Sequence, residues 1–581
     1  MSEKGNPQIS RRQLFGLAGM ALGSAGLATL SKSASAQTTD VSAHVLSFDN
    51  TAEMRASAAL KAGDTVFTKG YYQAGDGGHA YYLIRQGSQQ NEDKGKYHNC
   101  TNNKFAELQL NGVANILCFG AKGDNQEESA LANRHAILAA ASALPESGGT
   151  ILIPSVGTAK YRIDANWPNH GGVTIRRSNI TLIVENGALL HSLHNGTGAD
   201  GHVIGFAGEA HAPIENCHIC GGGAIASNTS SGVGAENAIG FTNVVNFSCV
   251  GMTVPHSVFK GITAQGNVHN GIISGNRIGQ TRFDAIAIET DTHFDNDYFV
   301  IENNTIEHAG VGYTEQSPAV AGIKFTAASS LKSFNVITQN NRVKKSLHYG
   351  YSYNLCDTIK NHSDICDEAG LDGFEWRSCN DINAHVTSKN SGRDGIKLDS
   401  CGSQINVECN ISWPSRYAIN ILRPRSLHVL KPFISGNKHQ YRLSTTSDQT
   451  INTPSIHIIH PQFADNAWGN NGGYWTGDIM PHVDFGNRVS RLILPESTAP
   501  DVTASTLYTV NNERGVLVSN LTGANAPDKE VELFFVNTNT TLEHANGNLR
   551  LKGHSNVTPP VGGSIKLRFI NNLWHETYRS F

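Results

Sequence analysis

Between residues 237 and 423 the chain keeps returning to one short pattern: a small residue, then alternating apolar and polar positions. It reads NAIGFTN (237–243), KGITAQG (260–266), DAIAIET (284–290), AGIKFTA (321–327), YGYSYNL (349–355), DGFEWRS (372–378), DGIKLDS (394–400) and YAINILR (417–423). The intervals are mostly 22 to 28 residues, with one longer insertion before residue 321. Alternation at period two marks half-buried strands. Turn residues separate these strands from others such as NVITQNNRV (335–343). A repeat this short cannot bury its own apolar face, so the copies must stack as a solenoid. The pattern therefore predicts an all-β chain, a single-stranded right-handed parallel β-helix spanning 111–485. A propeller fits less well, because its blades need about 40 or more residues. Cys356, Cys379 and Cys401 fall on one phase of three successive repeats, which predicts an internal ladder rather than catalysis or metal binding.

Ahead of the repeats stands GVANILCFGAKGDNQEESALANRHAILAAASALPESGGTILIPSVGTAKYRI (112–163). A helix is expected over 129–142, with apolar positions Leu131, Ile137, Leu138 and Ala141, then Gly148-Gly149 and the strand Thr150 to Pro154. This stretch resembles the opening of the pectate-lyase-like β-helix superfamily, whose members commonly carry FGAxGDG, an amphipathic helix and GGTVxxP. Here Asn125 to Glu128 replace the acidic pair usual after GDG. The resemblance implies the fold and leaves activity open, since lyases, hydrolases, epimerases and phage tailspikes share it. A small β-rich module is expected at 37–110. Its GDGG (75–78) reads as a glycine turn, because no helix follows to cradle a phosphate. A C-terminal β-domain is expected at 486–581. Its ending, GGSIKLRFINNLWHETYRSF, resembles the C-terminal modules of tailspike-like proteins, which implies a homotrimer.

Composition narrows the function. A formal net charge of −4 over 581 residues argues against nucleic acid as the main partner. The first 36 residues carry Ser10-Arg11-Arg12-Gln13-Leu14-Phe15, an apolar Gly/Ala-rich run, and Ala34 and Ala36 in an A-x-A arrangement. They resemble a twin-arginine export signal, so the mature protein is expected to be periplasmic or secreted and free of the membrane. Ten cysteines in an exported chain allow disulfides. Cys217-His-Ile-Cys220 lacks the second CxxC of a zinc site and reads as small buried residues.

Stacking turns the charged positions into a surface. With Phe374, Trp376, Ile396 and Leu398 facing inward, the alternate residues must face outward. One outward row is Lys324, Ser352, Glu375, Lys397 and Asn420; the next is Glu289, Thr326, Asn354, Arg377, Asp399 and Leu422. At the preceding turn come Asp284, Tyr349, Asp372, Asp394 and Tyr417, and before these His348, Arg393 and Arg416. Neighbouring coils lie about 4.8 Å apart, so Asp372 should meet Asp394, Glu375 meet Lys397, and Arg377 meet Asp399. Such a patch, with its tyrosines, suits an acidic, uronate-containing polysaccharide. For β-elimination, Lys397, Lys324, His348 or Tyr349 could serve as base. Arg377, Arg393 or Arg416 would hold the sugar carboxylate. No cofactor is required, although the carboxylates could bind calcium, as in lyases of the resembled superfamily. For hydrolysis, Asp372 and Asp394 would form a pair roughly 5 Å apart, nearer the retaining than the inverting separation. FDAIAIET (283–290) faintly resembles the Asp-Asp-Cys-Ile-Ala-Ile stretch of polygalacturonases, with Phe283 in place of the first aspartate. The catalytic candidates are thus Lys397, Asp394, Asp372, Glu375, Arg377, His348 and Tyr349, and the substrate-binding candidates Arg393, Arg416, Tyr417, Lys324 and Asp399. A polysaccharide lyase is expected, with a glycoside hydrolase or a non-catalytic glycan-binding protein as alternatives.

Overall fold

The computed structural model describes residues 45–581, apart from 90–94, 166–171, 195–200, 229–235, 292–296, 315–317, 328–333, 436–442, 447–455, 460–461, 465–474, 478–481, 485–489, 504 and 524–527. The export signal expected at 1–36 and parts of the loop 291–320 lie outside the described residues.

All eight repeat segments contribute strands to one parallel sheet, which holds twelve strands among the described residues and runs from Val173–Ile175 to Trp475–Gly477. Ile239, Ile262, Ile286, Ile323, Tyr351, Phe374, Ile396 and Ile419 lie side by side on successive coils, as the sequence alignment requires. Each coil then bends into a second parallel sheet. Later coils cross it with long strands such as Thr358–Cys366 and Asp381–Lys389. The chain is a right-handed parallel β-helix, the hand that parallel β-connections adopt.

The corners need left-handed backbone. Asn303, Asn340 and Ser363 supply it at one bend, and Leu355, Ser378, Ser400 and Arg423 at the exit from the twelve-stranded sheet. Asn suits such positions because its short polar side chain bonds locally.

Inside, like residues stack on like. Tyr351 lies 4.4 Å from Phe374, with their rings 5° from parallel. Cys356, Cys379 and Cys401 are fully buried, forming the expected ladder, and all ten cysteines are free thiols. A polar ladder runs alongside. The backbone N–H and Nδ2 of Asn276, Asn304 and Asn341 each donate to the Oδ1 of the next coil at 2.9–3.0 Å, ending on Asp364.

The helix spans Ala130–Ala143 and packs on the first coils, burying Ile137 and Ala141. Leu131, expected on that face, is exposed; the position inside is Asn133, which accepts from Lys122 N–H at 2.6 Å and donates to Arg162 C=O at 3.0 Å. The N-terminal five-stranded mixed sheet shares its core with the β-helix through Met54, Val66 and Tyr82. In its GDGG turn, Asp76 accepts from the backbone N–H groups of Tyr71, Tyr72, Gln73 and Gly78. The C-terminal strands gather a second core from Leu492 to Trp574.

Candidate functional site

The charged face belongs to the outer side of the twelve-stranded sheet. Lys324, Ser352, Glu375, Lys397 and Asn420 are successive partners in its register, as are Glu289, Thr326, Asn354, Arg377, Asp399 and Leu422. At its centre Lys397 Nζ donates to Glu375 Oε1 at 3.0 Å, the contact expected from the sequence. Arg377 reaches back along its own strand to the same oxygen at 2.9 Å, and Ser352 donates to Oε2 at 3.3 Å.

Contrary to expectation, Glu375, Lys397, Asp399 and Asn420 are buried rather than facing solvent, because neighbouring side chains close over them. The turn aspartates depart further. Asp372 and Asp394 are 0 % exposed, sealed at the turn rather than facing solvent. Arg393 grips Asp372 with Nε and Nη2, and Arg416 grips Asp394 at 2.8 and 2.5 Å. Asp372 also accepts the backbone N–H of Asp394, and Asp394 that of Tyr417 and the Nδ2 of Asn420 at 2.7 Å. Asp284 does the same for the N–H of Ala321 at 2.8 Å. An aspartate at this turn therefore caps the next coil, a structural task that fills its lone pairs. Asp372 and Asp394 are accordingly not an open carboxylate pair for retaining hydrolysis. Arg377 and Asp399 lie opposite in register but hydrogen-bond elsewhere: Arg377 to Glu375, and Asp399 to Arg423 at 2.5 Å. His348 is buried, and its Nδ1 accepts the N–H of Val320 at 3.0 Å, so it too joins coils.

What remains toward solvent is cationic. The side chains of Arg377, Arg393, Arg416 and Arg423 are 49, 28, 41 and 53 % exposed, each anchored on a carboxylate that is nearly or fully buried. Arg423 was not among the sequence candidates, although it closes the aligned segment YAINILR at the corner position held by Leu355, Ser378 and Ser400 on earlier coils. Tyr349 sits among these charges. Burial first, then the acids Glu375 and Asp372, raise its phenol above the usual range, while Lys397 and Arg393 oppose them. Tyr417 carries Arg416 over its ring at 4.9 Å.

A second cluster lies on the earlier coils. Lys260 Nζ meets Glu289 at 2.6 Å, and Lys324 Nζ lies 3.3 Å from Glu289 and 3.6 Å from Asp284. Burial pushes Asp284 up to about 6 against the pull of both lysines. Burial would raise Glu289 as well, but Lys260 and Lys324 overcome it and hold its carboxyl below the usual range. Calcium would have to compete with these cations for the same oxygens. Among the described residues no three His, Cys, Asp or Glu side chains gather as a metal-holding group.

No family model and no curated protein matches the chain. Among solved structures it is similar to full-length tailspike protein 2 from Escherichia coli O157:H7 bacteriophage CAB120, with TM-score 0.46 and 10% identity over 84% of this chain and 56% of that one. It thus spans little more than half of that tailspike. The Acinetobacter phage vb_AbaP_AS12 gp42 tailspike gives TM-score 0.45 and 12% identity over 90% of this chain and 89% of that one. The Yersinia enterocolitica family 28 exopolygalacturonase gives 0.37 and 13% over 70% and 82%. At such scores the likeness says nothing of substrate or mechanism.

Proposed function

We propose that this is an exported polysaccharide-degrading enzyme, a lyase that cleaves a uronate-containing glycan by β-elimination on the outer face of the twelve-stranded sheet. What supports it is two pairs of guanidiniums flanking the sheet, Arg393 and Arg416 at the turn before the strands and Arg377 and Arg423 at the strand exit. Each is fixed by a buried carboxylate, leaving part of the fork for an anion, and guanidinium matches carboxylate geometry. Fixed cations lower the reorganisation needed when charge develops on the uronate during proton removal.

The step balances with groups of this patch. A carboxylate oxygen of Glu375, held by Lys397, takes the proton from the carbon beside the sugar carboxylate. That C–H electron pair becomes the new C=C bond, and the bond to the glycosidic oxygen breaks. Tyr349, kept protonated by its raised pKa, gives the leaving oxygen its proton. Tyr349→Phe should then lower cleavage by about 10²–10⁴-fold with polymer binding retained. Digestion of a panel of uronate polymers tests the class: new chain ends should appear together with the ultraviolet absorbance of an unsaturated uronate. Unchanged cleavage in Tyr349→Phe would remove this residue from the chemistry.

Hydrolysis stands second, favoured by one observation: Asp284 at about 6 and an ionised Glu289 share the Lys324 ammonium. Carboxyls with pKa values pushed apart are the acid and base of glycoside hydrolysis. Asp284 is 0 % exposed and caps the Ala321 N–H, against 3 % for Glu375 and 9 % for Lys397 and Tyr349, which is why this reading ranks below the first. Reducing ends without the absorbance, lost in Glu289→Gln, would reverse the order.

A further inference from the structure

Trp413 is an anomaly that neither chemistry uses. It sits at the corner where strand Ile405–Ser412 leads into strand Ile419–Leu422, three residues before Arg416. Its φ is 55°, a left-handed conformation that a bulky residue adopts at a cost. Pro414 follows it, and a proline further restricts the residue before it. The side chain is not rewarded by burial: Trp413 is 53 % exposed, among the most exposed large hydrophobics of the described residues.

The neighbouring coil shows what the backbone alone would choose. Lys389 pairs with Ser412, which places Asn390 in the slot of Trp413. Asn390 has φ 50° and donates its N–H to Ser412 C=O, as Trp413 donates to Ser435 C=O. The two corners thus share a backbone and differ in side chain: a left-handed-tolerant Asn on one coil, an indole on the next. Strain kept without a packing gain points to function.

The surroundings indicate a ligand class. Beyond Trp413 the turn presents Arg416 stacked on Tyr417, then Asn420. Asn420 donates to Asp394 and is itself buried. A flat indole, a phenol and a guanidinium together suit a sugar ring. The ring's C–H face covers the indole, and the guanidinium donates to its oxygens.

We infer that Trp413 is a sugar-stacking platform at this edge of the charged face, holding one unit of a glycan chain. The inference rests on the function above only in taking the ligand to be a glycan, and it does not depend on cleavage. The test pairs Trp413→Asn, which copies Asn390, with Trp413→Phe, measuring melting temperature and affinity for soluble uronate polymers and neutral glucans by affinity electrophoresis. Trp413→Asn should melt at or above the parent yet bind roughly tenfold more weakly, and Trp413→Phe should recover most of that affinity. A parent that binds but cleaves nothing, with binding lost in Trp413→Asn, supports the platform while ending the lyase and hydrolase readings. Equal affinity of parent and Trp413→Asn overturns the platform, as does a fall in melting temperature that accompanies the loss of binding. A parent that binds no glycan overturns it too.

Discussion

Asp394 receives Nε and Nη2 of Arg416, Nδ2 of Asn420 and the backbone N–H of Tyr417, and no solvent. A carboxylate so enclosed fixes its arginine rather than reacting, and the cost of disturbing it should fall on stability. Arg416→Ala leaves that charge buried without its main partner and should cost about 2–3 kcal/mol, somewhat less than breaking a fully enclosed pair. Arg377→Ala differs, because Lys397 still holds Glu375; it should cost under about 1 kcal/mol yet weaken binding of a uronate polymer. Denaturant unfolding and polymer affinity measured on both variants check this split, and equal stability losses would contradict it. The side-chain assignments were the least legible part of the sequence. Period-two alternation tells inside from outside but not which neighbour a long arginine chooses. Hence Glu375–Lys397 was readable directly, whereas Asp372–Arg393 and Asp399–Arg423 run diagonally between coils and were not.

The internal ladder shows the same limit for whole elements. Eight strands of the twelve-stranded sheet were legible because every one repeats a small residue before its alternation. The ladder of Asn276, Asn304 and Asn341 gave no such signal, since asparagine is common in every turn and nothing marks these three as interior. Its last member is an acid. Burial pushes Asp364 up to about 6 despite hydrogen bonds from Thr338, Asn341 and Asn361. The folded protein therefore holds this proton more tightly than the unfolded chain, whose value is near 3.8. Stability from this group is greatest at low pH, falls as pH rises through the window from about 4 to about 6, and stays reduced above it. Asp364→Asn, which continues the ladder with its own residue type, should remove that dependence. Thermal melts at pH 4.5 and 7.5 should show a smaller difference for the variant, by on the order of 2 kcal/mol. An unchanged difference would show that Asp364 does not titrate in this window.

At the scale of the molecule, stacking does what a single coil cannot. Each coil brings one or two charges, and the common register lines them into a continuous face with arginines at its rim and buried acids beneath. The fold was legible because its information is periodic. The chemistry was only partly so, because it depends on side-chain reach across coils and on corners such as Arg423 and Trp413, where the alternation ends. Arginines placed along both edges answer to charge on the polymer more than to the identity of its sugars. The most direct measurement compares one uronate polymer with the same polymer after its carboxyls are reduced to alcohols, following binding and cleavage by the parent protein at low salt. The acidic form should be bound and cut, and the reduced form should lose at least about tenfold in affinity and all cleavage. Equal binding and cutting of both forms would contradict the role given to the arginines.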